Sequence, residues 1–153
     1  MKLAYQWDLP SDPRPIVLIG AGGIVNDAHL PAYQIAKFPV LGIYDINSEN
    51  LQNTARKWDL EPYKDITDLI DVAAASDAVY DLATPPSVIA EILEYLPDRA
   101  TVMIQKPMGS NLAEASRILE ICQKKKFTAA VNFQLRFSPM MLSVRDALRQ
   151  GII

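Results

Sequence analysis

The chain predicts a doubly wound α/β domain: a mainly parallel sheet with helices on both faces. Three observations predict it. Short unbroken apolar runs recur along the chain, stretches of helical periodicity separate them, and a glycine cluster sits where the first run hands over to the first helix. Strands buried on both faces read as continuous apolar runs rather than as alternating ones, and their alternation with helices builds βαβ units with right-handed crossovers.

The elements follow in order. Residues 1–15 carry Pro10, Pro13 and Pro15 and form a stiff lead-in. Ile16 to Ile19 is the first strand. Gly20-Ala21-Gly22-Gly23 follows it, and then a helix to about Lys37. Val40 to Tyr44 is the second strand, ending at Asp45. Ser48 is positioned to cap a helix reaching about Trp58, and Asp65 one reaching about Ala74. Ala78 to Ala83 reads as a strand stopped by Thr84-Pro85-Pro86, with a helix from Ser87 to Leu96. Thr101 to Ile104 is a strand ending at Gln105-Lys106-Pro107. Asn111 to about Lys125 is a long helix with Leu112, Ala115, Ile118, Leu119 and Cys122 on its apolar positions. Thr128 to Phe133 is the last strand, and Ser138 caps a final helix to about Gln150. A chain of 153 residues makes one domain, 1–153, with no internal repeat, low-complexity tract or linker.

Composition excludes several classes. Half of the residues are hydrophobic and the net charge is −3, so the chain buries a core and lacks the basic surplus of a nucleic-acid binder. Its only basic run, Lys124-Lys125-Lys126, reads as a solvated helix end favoured by the helix dipole. Cys122 is the sole cysteine, which rules out a disulfide framework and a cysteine-based metal site, and no metal ligands are assigned. No signal-peptide pattern and no stretch of about 18 apolar residues is present, so the expectation is a cytoplasmic protein without a membrane partner.

Gly20, Gly22 and Gly23 account for three of the six glycines. At a strand-to-helix junction one glycine makes the tight turn and another lets the backbone approach a pyrophosphate. The free N–H groups of the helix start then receive its charge. Val25 stands where G-x-G-x-x-G has its third glycine, and a plain turn competes as an explanation of the loop alone. Asp45 adds weight. It ends the second apolar run, about 25 residues after Gly20, near the spacing of an acid that bonds the adenine-ribose hydroxyls. Its carboxylate repels a 2′-phosphate, and no arginine follows it before Arg56, so NAD is expected over NADP.

Gly20 to Ile24, His29-Leu30-Pro31-Ala32-Tyr33, Tyr44-Asp45, Asp81 to Pro86, Gln105-Lys106-Pro107 and Asn132 to Pro139 occur in one order along nearly the whole chain. In this the sequence resembles the N-terminal NAD-binding Rossmann domain of the Gfo/Idh/MocA oxidoreductases (glucose-fructose oxidoreductase and inositol dehydrogenase among them). The resemblance implies cofactor contacts from Gly20, Gly22, Gly23, Ile24, Asp45, Ala83, Thr84, Pro85, Gln105, Lys106 and Asn132. It implies a catalytic role for Lys106, beside the nicotinamide and the reacting carbon, and a cis peptide before Pro107. A free lysine, with a pKa near ~10.4, is a poor base at neutral pH and needs burial or a nearby positive charge to act as one. Two departures stand out: Gln105 replaces the usual glutamate before the lysine, and Ile89 stands where many members carry a histidine.

His29, the only histidine, reads as bonded locally near its helix start, and Asp81 as bonding backbone groups. The resemblance places a C-terminal α+β domain, which carries the substrate pocket, after residue 153, and implies a homo-oligomer at full length. The expected function is an NAD(H)-binding domain of an enzyme that moves a hydride between nicotinamide and a carbinol carbon of a sugar, polyol or related small molecule. The alternatives are a non-catalytic NAD sensor or interaction module and, disfavoured by Thr84-Pro85-Pro86 and Gln105-Lys106-Pro107, an S-adenosylmethionine-dependent transferase.

Overall fold

The computed structural model describes residues 3–153. Six parallel strands form one sheet in the order β3-β2-β1-β4-β5-β6: β1 Ile16–Ile19, β2 Val40–Tyr44, β3 Pro62–Tyr63, β4 Val79–Leu82, β5 Thr101–Gln105 and β6 Thr128–Asn132. The helices are α1 Leu30–Ala36, α2 Ser48–Trp58, α3 Ile66–Ala75, α4 Ile89–Tyr95, α5 Leu112–Lys124 and α6 Pro139–Arg149. The strand order reverses between β1 and β4, which opens a crevice at the carboxyl ends of those two strands.

The predicted doubly wound parallel sheet is therefore the architecture found. Its two faces are built by alternation. In β1, Val17 and Ile19 join a core with Leu69 of α3, Leu93 of α4 and Ile118 of α5, while Leu18 joins Leu30, Ile43, Leu51 and Ala55 toward α1 and α2. Successive side chains of a strand point to opposite faces, and both faces are covered, so the strand has no polar position.

Several local expectations need correction. The two-residue strand β3 was not foreseen, because Pro62-Tyr63 lies between polar residues and is too short to leave a pattern. Asn47, not Ser48, caps α2: its Oδ1 accepts from the N–H groups of Glu49 and Asn50, both at 3.0 Å. The first helix is not α-helical throughout. Val25–His29 is a π-helical turn before α1. Pro31 explains it, since a proline has no N–H for the ladder and its ring crowds the carbonyl four residues earlier. The expected helix from Ser87 opens as a 3₁₀ turn, Pro86–Val88, before α4. Asp65 and Ser138 cap α3 and α6 as expected, and Asn111, read as the first residue of its helix, caps α5 from outside it.

The basic run is not simply solvated. Lys125 Nζ donates to the carbonyls of Leu93, Glu94 and Leu96, the last at 2.6 Å, and so closes the open end of α4. A cation at a helix C-terminus satisfies carbonyls that have no N–H partner and complements the dipole. The lead-in is also fastened: Arg14 donates to the Asp77 carboxylate at 2.6 Å and to Thr101 Oγ1 at 2.8 Å. Replacing Lys125 with alanine is expected to lower unfolding free energy by about 1–3 kcal/mol, while Lys124→Ala leaves it nearly unchanged. Urea denaturation of the two variants checks the difference.

Candidate NAD-binding site

The site grows from the turn after β1. Gly20 has φ +115°, and a Cβ there would stand 2.4 Å from the Ala83 carbonyl oxygen. The residue must be glycine for both reasons: the backbone conformation is one that L side chains rarely adopt, and the β4 exit lies too close. Hydrogen bonds lock the crossing, from Gly20 N to Tyr44 O and from Ala83 N to Ile19 O. Gly22 differs. A Cβ there meets nothing within 4 Å, so the space in front of it is open to a ligand.

Asp45 holds the loop from the β2 side. Its Oδ2 accepts from Ala21 N at 2.6 Å and its Oδ1 from Asn47 N at 2.7 Å. A carboxylate offers about four acceptor sites, so both oxygens retain capacity for further donors. Asn26 fastens the loop from beneath, a role the sequence did not suggest. Its Nδ2 donates to the carbonyls of Ala21 and Gly22 and to Thr54 Oγ1, and its Oδ1 accepts from Trp58 Nε1 at 2.9 Å.

A cleft of about 610 Å³ opens at the switch point. Gly20, Gly22 and Asp45 form one wall and Ala83, Thr84 and Pro85 the other, with Ile92 and Tyr95 of α4 beyond. A smaller recess of about 300 Å³ adjoins it behind the loop, lined by Gly22, Gly23, Asn50, Asn53 and Lys57. Six of the residues assigned to the cofactor thus share one cleft, and Gly23 sits in the recess beside it. Ile24 lines neither and is 40% exposed. Gln105, Lys106 and Asn132 lie further along the same sheet edge, where Gln105 and Asn132 are register partners on β5 and β6. The peptide between Lys106 and Pro107 is cis, as the resemblance implied. The Lys106 side chain is exposed.

Beneath this edge lies a buried polar chain that overturns the expectations for His29 and Asp81. His29 Nδ1 is 2.6 Å from Asp81 Oδ2, which also accepts from the Tyr33 hydroxyl at 2.8 Å. Asp81 is fully buried, and it bonds side chains rather than backbone. The π-helical turn swings His29 inward over β4, so its partner is distant in sequence rather than local. Burial, with the Asp81 carboxylate alongside, raises the Tyr33 pKa far above the ordinary phenol value, so the hydroxyl remains a donor. Gln105 continues the chain: its Nε2 is 3.3 Å from His29 Nε2, and its Oε1 accepts from Lys106 N at 2.9 Å. Ile89, where a histidine was noted as usual, is fully buried in the core.

These residues fit a dinucleotide. The open space at Gly22, the spare acceptor capacity of Asp45 and the unpartnered Thr84 Oγ1 in the opposite wall suit a ligand with phosphates and a ribose diol. Residues 14–133 match the model of the Gfo/Idh/MocA oxidoreductase family, NAD-binding Rossmann fold. The chain belongs to this family. Glucose-6-phosphate 3-dehydrogenase of Bacillus subtilis is 30% identical over 92% of the chain, and the match covers 38% of that protein. WlbA dehydrogenase of Chromobacterium violaceum, solved with NADH and UDP-GlcNAcA, superposes with a TM-score of 0.72 at 22% identity, over 93% of this chain and 41% of its own. KijD10, a 3-ketoreductase of Actinomadura kijaniata solved with NADP and TDP-benzene, gives 0.70 at 21% identity, over 93% and 44%. At those identities the two structures bear on the fold. The chain spans less than half the length of the relatives it matches. Among the described residues no helix is long and apolar enough to cross a membrane.

The two glycines separate folding from binding. Gly20→Ala is expected to cost about 2–4 kcal/mol of stability, through strain and the Ala83 contact. Gly22→Ala is expected to stay within about 0.5 kcal/mol of the parent in denaturation. It should nevertheless raise the Kd for NADH about tenfold or more, about 1.4 kcal/mol in binding, as read by calorimetry.

Proposed function

We propose that the cleft between the glycine loop and Ala83-Thr84-Pro85 binds NAD(H), and that the protein containing this domain is a dehydrogenase acting on a carbinol carbon of a sugar, polyol or related small molecule. The observation that carries this reading is the convergence of Gly20, Gly22 and Asp45 with Thr84 at the switch point of a parallel sheet. Gly22 and the N–H groups after it would receive the pyrophosphate, and Asp45 the adenine-ribose hydroxyls. Ala83, Thr84 and Pro85 would guide the cofactor toward its nicotinamide end, with Gln105, Lys106 and Asn132 along the same edge. Bound there, the cofactor supplies a ring carbon that accepts or returns a hydride.

Lys106 is the residue we assign to the proton. Its exposed ammonium stands at the carboxyl end of β5, free to reach a substrate oxygen. In the oxidising direction the neutral amine would take the hydroxyl proton as the carbinol hydrogen leaves. In the reducing direction the ammonium would return it. The sugar-directed activities of the relatives support a substrate of this class. Domain 1–153 would then serve as the cofactor half of a longer, homo-oligomeric enzyme. A reducing compartment such as the cytoplasm suits Cys122, whose burial raises the thiol pKa.

Asp45 favours NAD, because a 2′-phosphate beside a carboxylate is repelled. Lys57 in the adjoining recess is the one feature that favours NADP. Parallel titration with NADH and NADPH decides between them. NADH is expected to bind at least about tenfold tighter, and Asp45→Ala to remove most of that preference. Tighter NADPH binding would overturn the assignment of Asp45. In the full-length enzyme, Lys106→Ala is expected to lower kcat by about 10²–10⁴-fold while leaving the Kd for NADH within a few-fold.

A further inference from the structure

The buried chain running from Asp81 to Gln105 lies outside the lining of the cleft at the glycine loop. Asp81 comes from β4, His29 and Tyr33 from the first helical segment, and Gln105 and Lys106 from the end of β5. Elements distant in sequence thus meet at one hydrogen-bonded path, in a region otherwise filled by apolar side chains. A buried carboxylate is costly, and a polar path of this kind persists only with its donors and acceptors in a consistent order.

We propose that Gln105 is a positioning residue for Lys106, with its amide held in one orientation by the His29–Asp81 pair. The inference rests on Lys106 as the proton-handling group. The chemistry of the donors sets the order. Asp81 Oδ2 accepts from Tyr33, and as a carboxylate it accepts from His29 as well, so Nδ1 carries hydrogen. In a neutral imidazole Nε2 is then an acceptor, and it takes a hydrogen from Gln105 Nε2. That leaves Oε1 facing the other way, where it accepts from the backbone N–H of Lys106. Turning the amide over would set its NH₂ against the Lys106 N–H, donor against donor. The orientation is therefore dictated from inside the core.

The Lys106 side chain makes no hydrogen bond or ion pair among the described residues, so it is the backbone of the residue that its neighbours hold. Gln105 is 8% exposed and in a position to fix the point from which that side chain leaves, because both ends of its amide are engaged. A misplacement of about 1 Å at a reacting group costs rate steeply, which is why such a tether matters. A glutamate at 105 would keep the acceptor for Lys106 N–H. It would also require hydrogen on His29 Nε2, making an imidazolium between two carboxylates.

The test uses the ¹⁵N-labelled chain without cofactor or substrate, so it is independent of whether Lys106 moves a proton. Long-range ¹H–¹⁵N spectra of His29 are expected to show hydrogen on Nδ1 and none on Nε2. Gln105→Met, of similar size and without the amide, is expected to speed hydrogen exchange at the Lys106 amide about tenfold. Gln105→Glu is expected to keep that protection and to add hydrogen at Nε2 of His29. A wild-type His29 protonated on Nε2 would overturn the proposal, as would unchanged Lys106 exchange in Gln105→Met. If Gln105→Met does not fold, the wild-type imidazole spectrum and the Gln105→Glu pair still decide. Failure of Lys106→Ala to reduce enzyme turnover would instead strike the assignment of Lys106 and leave the tether standing on these spectra.

Discussion

The close passage of two strand exits constrains everything at the carboxyl edge of the sheet. β1 and β4 are neighbours, yet their chains leave in opposite directions, so the backbone at Gly20 must turn against the carbonyl of Ala83. No residue with a Cβ fits there. Once the turn is forced, the first helical N–H groups face the crevice. Asp45 is carried alongside by β2 and Thr84 by β4. The cleft is thus a consequence of strand order and one steric contact, reinforced by Asp45 and Asn26 bonding the loop from two sides. Loop geometry held by side chains before any ligand arrives reduces the ordering cost of binding.

A second constraint is the buried carboxylate of Asp81. In a strand whose neighbours are Tyr80 and Leu82, both buried, a charge at the same depth needs strong partners. The π-helical turn provides one of them by bringing His29 over β4, and α1 provides Tyr33. The distortion at Pro31 and the charge at Asp81 are therefore two parts of one arrangement. A regular helix would rotate His29 away, and an apolar residue at 81 would leave Nδ1 of the imidazole without a partner.

These relationships explain what was legible in the sequence. β1, β2 and the body of β5 were readable, because strands covered on both faces leave no polar interruption, and β4 was readable despite Asp81 because the residues around it are apolar. Asp65 and Ser138 were readable as caps, since each precedes a periodic stretch and its cap bond is local, whereas Asn111 was read as a helical residue and stands just outside its helix. β3 was not, because two residues carry no periodicity. Asn47 was missed in favour of Ser48 because both are good capping types, and only the backbone decides which one sits outside the helix. The glycine loop and Asp45 could be found because their spacing reflects one βαβ unit. Asn26, Lys125 and the partners of His29 and Asp81 could not, since their bonds cross 28, 29 to 32 and 52 positions and have no local signature.

The two halves of the proposed site differ in how far this chain completes them. Around Gly22 and Asp45 the walls come from β1, β2, β4 and α4, all packed on the core, and a ligand there would be enclosed by residues 19–95. Toward Lys106 burial falls away. Lys106 itself is exposed, and Phe133, Leu135 and Phe137, beyond the carboxyl end of β6, are more than half exposed. An ammonium facing bulk water is strongly screened, and its interaction with a developing charge weakens accordingly. The proposed contacts to pyrophosphate and adenine ribose therefore come from the described residues, whereas the proposed proton transfer at Lys106 would require a cover over the carboxyl ends of β5 and β6 that the described residues do not supply. The tether through Gln105 fits that division: it holds the backbone of the lysine from the core side and leaves the opposite side of the residue open to whatever closes over it.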